Sequence, residues 1–151
     1  MEVFRDLASA WGGDVKVAKA EASAWLRRQR TPFDVVIDDL SVVVPGDVRK
    51  PEVSFTTIPS LAARKLRPGG VALLNLLPEP GMDVPALRAQ VAAPFPDARA
   101  VWFEDRENEF VLGGERLPAP AALQRALDTA LRRLGSTLAG GFRVSAVKQP
   151  P

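Results

Sequence analysis

The chain has 151 residues, 46% hydrophobic, with 20 basic and 18 acidic residues and a formal net charge of +2; that is the size of one domain with a real core. It has no Cys and no His, which excludes disulfides, thiolate chemistry, serine–histidine triads and Cys- or His-based metal sites. It has no Tyr either, so acid–base work would fall to Asp, Glu or Lys.

Residues 1–14 read as an N-terminal helical segment. Phe4, Leu7, Ala8 and Trp11 fall at helical spacing, and Gly12-Gly13 stop it. This end carries no apolar signal core, and no apolar run in the chain is long enough to span a membrane. With the missing cysteines, that sets a cytoplasmic location as the expectation. Val15–Lys19, VKVAK, alternates as a half-buried strand. Glu21–Arg30 is rich in helix formers and puts Ala22, Trp25 and Leu26 on one face. Thr31-Pro32 breaks it. FDVVID, from Phe33, is a short β-branched run bounded by polar residues: a buried strand.

Ser41–Val53 holds two prolines and a glycine and reads as a loop. IPSLAARKL resumes a helix, with Pro59 acceptable only in its first turn, and LRPGG ends it. Gly70–Leu77 is a second buried strand. Asp83 caps a helix with Pro85 in its first turn, running to about Ala92. Ala98–Glu104 alternates as a strand, DREN turns, and EFVLGG returns, which predicts a terminal antiparallel hairpin at the far edge of the sheet. Ala119–Leu134 aligns Leu123, Leu127, Ala130, Leu131 and Leu134 in one stripe. Residues 135–151 form a tail with room for one short strand.

Residues 15–134 therefore make one α/β domain. Alternating strands and helices predict a mostly parallel sheet with helices on its faces. Ligands of such sheets bind outside the carboxyl ends of the strands. Asp38, Asp39 and Asn75 stand at such ends. The basic clusters at Arg27–Arg30 and Arg132-Arg133 lie near helix C-termini, where cations suit the helix dipole. Without clustered stacking aromatics, nucleic-acid binding is not expected. The acids at 104–109 lack EF-hand spacing, so no metal site is expected.

The ordered combination VKVAKAEASAWLRRQRTPFDVVIDDL, a loop and helix, then KLRPGGVALLNLL and EFVLGG resembles the second half of a class I methyltransferase fold. It is most similar to the spermidine synthase-like (aminopropyltransferase) branch. The resemblance covers about Val15–Gly114 and implies a truncated Rossmann-like sheet. It implies a cofactor as well: S-adenosylmethionine or its decarboxylated form. The family's Gly-Asp-Ala motif, whose acid binds the adenine amino group, is matched by Ala20-Glu21-Ala22. That puts Glu21 on the adenine, and Glu2 is the candidate for the ribose. Asp38 takes the place of the general base. Ser41 takes the place of a second, substrate-gripping acid, and Asn75 that of a substrate-binding Gln. In related enzymes the Ser41–Val53 segment forms part of a substrate gate; here its apolar VVVPGDV could cover a pocket or dock a partner.

The family's first strand and its glycine-rich turn have no counterpart in these 151 residues. That strand is central in the fold. The implied outcomes are that VKVAK pairs directly with FDVVID, that another chain fills the gap, or that the chain is a fragment of a longer protein. The expectation is a degenerate, non-catalytic domain that forms a homo-oligomer or binds a protein partner over the missing strand. The alternative is an active transferase whose cofactor motif comes from elsewhere.

Overall fold

A computed structural model describes residues 16–148 of the chain. In chain order these form α1 (Ala22–Arg28), β1 (Phe33–Asp38), β2 (Val42–Val44), β3 (Asp47–Arg49), α2 (Val53–Lys65) and β4 (Leu66–Asn75). They continue with α3 (Val84–Ala92), β5 (Asp97–Phe103), β6 (Glu109–Gly114), α4 (Pro120–Arg133) and β7 (Phe142–Ala146). Residues 1–14, Glu2 among them, lie outside the described part.

Five strands make one sheet in the order β1-β4-β6-β5-β7. β1 and β4 pair in parallel, from Val35↔Val71 to Asp38↔Leu74, through the helical crossover α2. The pairs β4–β6, β5–β6 and β5–β7 are antiparallel. The core lies on one face of the sheet. There α2 and α3 lay Ile58, Ala62, Val91 and Ala92 against Ala72, Leu74, Ala98 and Val111. Strand alternation explains the choice: these residues are every second one along their strands. Gly113 sits under Phe95, where an added Cβ would lie 2.3 Å from the ring. Only a glycine lets the ring close over β6.

Several expectations change. VKVAK forms no strand over its described residues, 16–19, so it does not pair with FDVVID. Residues 16–20 lead into α1 without regular secondary structure. The expected β5–β6 hairpin is present but not at the edge: β6 inserts between β4 and β5. The outer strand is β7, from the supposed tail. β7 belongs to the domain, and Phe142 is buried against Phe103, ring centroids 6.1 Å apart. Position 134 is therefore no boundary.

The predicted loop 41–53 holds a hairpin, β2–β3, paired Val42↔Arg49 to Val44↔Asp47. Pro45 and Gly46 are its central turn residues, and Gly46 has φ +78°. Proline pre-sets one turn angle and glycine supplies the positive one. α2 also begins earlier than expected, with Pro59 inside it. A mid-helix proline leaves the carbonyl four residues back without its donor. That carbonyl is on Phe55, and Gln90 Nε2 of α3 donates to it at 3.3 Å.

The two outer edges differ. On β7, Gln124 of α4 accepts from the Val144 amide and donates to the Phe142 carbonyl, both at 3.3 Å. A side chain thus occupies that edge. Among the described residues β1 pairs only with β4. On the face away from α2, Val35 is 55% and Ile37 65% exposed. Trp25 stacks on Phe33 at 6.1 Å, covering the start of β1 only.

Candidate functional site

Adjacent residues at a strand end point to opposite faces, and this separates the two acids. Asp38 turns inward. Its Oδ1 accepts from the Leu40 amide at 3.1 Å and from the Ser54 hydroxyl at 3.3 Å. Its Oδ2 stands 3.6 Å from Lys50 Nζ, with both side chains 2% exposed. Burial pushes the Lys50 ammonium below its ordinary value, partly offset by the charges of Asp38 and Asp39.

Asp39 turns outward. Asn75 Nδ2 donates to Asp39 Oδ1 at 2.8 Å, and Asn108 Nδ2 donates to Asn75 Oδ1 at 3.3 Å. Of the predicted site residues, Asp38 and Asn75 thus share the carboxyl end of the β1–β4 pair. The accessible carboxylate of that end is Asp39. Asn108 escaped sequence reasoning, because it sits in a polar turn and arrives only when β6 inserts beside β4. Lys50 escaped for a like reason: a lysine after a hairpin is ordinarily solvated.

Two clefts meet here. One, about 350 Å³, is lined by Asp39, Asn75 and Asn108 with apolar walls from Ile37, Leu73 and Phe110. The other, about 480 Å³, runs along β1 to the 16–20 approach and is walled by Trp25, Leu26, Val36, Leu40 and Ile58. Ser41 is exposed and lines neither cleft.

Glu21 is committed to its own helix. Its carboxylate accepts from the amides of Ser23 at 2.9 Å and Ala24 at 2.7 Å, and from the Ser23 hydroxyl. It is the N-cap of α1, and these backbone hydrogen bonds hold its pKa below the usual carboxylate value. The acids of 104–109 are dispersed as well. Glu109 pairs with Arg88 at 2.6 Å and Glu104 with Arg143 at 2.9 Å. Among the described residues no group of three or more Asp or Glu side chains is placed to hold a metal ion, and no helix is long and apolar enough to cross a membrane.

No family model matches the chain, and no curated protein matches it. Solved structures do match it, and two of them are informative. One is a probable spermidine synthase from Corynebacterium glutamicum ATCC 13032, with TM-score 0.66 and 18% identity. The other is human methyltransferase-like protein 13 in complex with SAH, with TM-score 0.62 and 22% identity. The chain has the class I methyltransferase fold. The alignment covers 97% of this chain and 55% of the spermidine synthase, and 87% of this chain and 68% of the human protein. The chain thus spans about half the length of the bacterial enzyme.

The described residues do not fit a sulfonium nucleoside as the fold's usual cofactor. Both oxygens of Glu21, the adenine candidate, are used on α1. The residue before it is Ala20 where the family motif has glycine. Asp38 lines both clefts, but its buried carboxylate is engaged by Lys50, the Ser54 hydroxyl and the Leu40 amide.

Proposed function

We propose that the chain is a degenerate spermidine synthase/methyltransferase-like domain, non-catalytic by itself, whose scaffold serves assembly through β1. The observation that carries this is the condition of β1. It is the strand at the end of the described sheet, and Val35 and Ile37 stand exposed beside its unpaired edge. An open edge next to apolar surface is a template for another chain. The occupant is a second copy or a protein partner adding backbone to β1. The engagement of Asp38 by Lys50 and of Glu21 by α1 supports the non-catalytic half of the reading.

Light scattering on the purified chain tests it. A mass above one copy is expected, falling to one copy in Ile37→Lys, which places a charge on the apolar face. A monodisperse single copy that is stable by itself would overturn self-association and leave a different protein as the only occupant the reading allows.

A second reading is an active transferase, moving an aminopropyl or methyl group from a sulfonium nucleoside. The 480 Å³ cleft beside the exposed carboxylate of Asp39 favours it. It requires the glycine-rich strand from another segment or chain, and Asp38 could serve as base only after leaving Lys50. Calorimetry with S-adenosylmethionine distinguishes the two. The assembly reading expects no heat of binding at millimolar ligand; saturable binding weakened by Glu21→Ala would establish the transferase reading instead.

A further inference from the structure

The β2–β3 hairpin stands off the sheet as an arm. Its six strand residues and its turn are exposed, apart from a half-buried Val44, and Val43 is 87% exposed. β2 and β3 pair with each other and with no strand of the main sheet. Something other than a core of its own must set where the arm points.

The two roots of the arm are residues 38–41 and 50–53, and one buried ion pair joins them. Asp38 closes β1, Lys50 follows β3, and Ser54 opens α2. The Asp38 carboxylate gathers all three: the Leu40 amide and Ser54 hydroxyl on Oδ1, and Lys50 on Oδ2. Among the described residues, neither Oδ2 nor Lys50 Nζ has a hydrogen-bond partner. Each charge is thus offset chiefly by the other. Leu40 and Val53 of the roots pack against the core; among the described residues the arm's other ion pair is Arg49 to Glu79, at 3.6 Å with both side chains open to solvent, where an ion pair holds little.

We propose that Lys50 and Asp38 form a latch that fixes the arm over the carboxyl end of the β1–β4 pair. Lys50 acts as a positioning residue through Asp38. The physical basis is the asymmetry of buried charge pairs. Intact, such a pair adds little net stability; with one partner removed, the other is a buried, uncompensated charge. The least costly relief is local: the roots part, water reaches the charge, and the arm is released while the α2–α3 core stays packed. The carboxylate that the family resemblance assigns to catalysis would then serve geometry. This inference does not depend on the assembly reading.

The absence of native cysteine permits a direct test. Val43→Cys on the arm and Ala126→Cys on α4 accept a spin-label pair, and the distance distribution between them is measured. A narrow distribution is expected in this parent, and one about twice as wide in Lys50→Met. Asp38→Asn, which keeps an oxygen for Leu40 and Ser54, is the second variant, in case the first does not fold. It should broaden the distribution too. Arg49→Ala, which removes the outer pair, should leave it narrow. An unchanged width in both latch variants would overturn the proposal, as would equal broadening by Arg49→Ala.

Discussion

The side chains with the firmest functions here are ones whose charge is answered inside the fold. Arg99 is one. It is buried, and its guanidinium donates to Asp97, to the carbonyls of Ala98 and Leu117, and to Pro118 at 2.9 Å. The Leu117 amide donates in turn to Asp97 at 2.9 Å. This cluster ties the segment after β6 to the start of β5. Burial pushes the Asp97 carboxyl up, but Arg99 and the Leu117 amide outweigh that and hold it below its ordinary 3.8. A carboxylate lowered in the fold stabilises above its ordinary value. That contribution is lost as pH falls through the folded value. Asp97→Asn should therefore cost about 1–3 kcal/mol at neutral pH. Its stability should also fall less steeply than the parent's below about pH 4, as read by urea unfolding across pH. An equally steep acid limb in the variant would remove Asp97 from the account.

At the scale of elements, neighbours decide what local pattern leaves open. α3 meets β5 and β6 through Arg88, which pairs with Glu109 and lies 4.8 Å over the Trp102 ring. Trp102 is thus a packing residue, in keeping with its place on an alternating strand. Phe95, in the turn after α3, lies tight against Gly113 of β6. Gly113→Ala would drive a methyl into the ring and should cost about 1–3 kcal/mol through forced repacking. Chemical denaturation measures this; a neutral result would mean that Phe95 has room to turn aside. α4 shows the opposite case. Its leucine stripe is real, yet it has no fully buried residue and Leu134 is exposed. The helix covers the edge at β7 more than it fills a core.

At the scale of the whole molecule, the two ends of the described sheet differ. Gln124 seals β7, whereas among the described residues β1 pairs on one side only and carries two exposed β-branched residues. Burying that side in an assembly would stabilise the folded chain by mass action. The melting temperature should then rise with protein concentration in the parent and become independent of it in Ile37→Lys. A parent whose melting is already independent of concentration would argue against self-association and leave a different chain as the occupant.

Much of this was legible in the residues. FDVVID and the run after LRPGG are short, β-branched and bounded, so their period and flanks make strands wherever they lie. The EFVLGG hairpin and the Asp83-capped helix have equally local causes: alternation, a polar turn, a capping side chain. The family resemblance rested on the order of these pieces, and order is a property of the chain. Other features needed the fold. VKVAK has the alternation of a strand, yet its described residues, 16–19, form none. Pro59 is tolerated mid-helix because Gln90, 31 positions on, supplies a donor. Phe142 became a core residue because β5 had an edge to fill. Asp38 and Asp39 are indistinguishable as letters, and a turn of the backbone at a strand end sends one to Lys50 and the other to Asn75. The sequence by itself determined which segments are strands and helices and that acids stand at the end of β1. Only tertiary structure decided which acid is buried, because charge compensation depends on groups that are distant along the chain and adjacent in space.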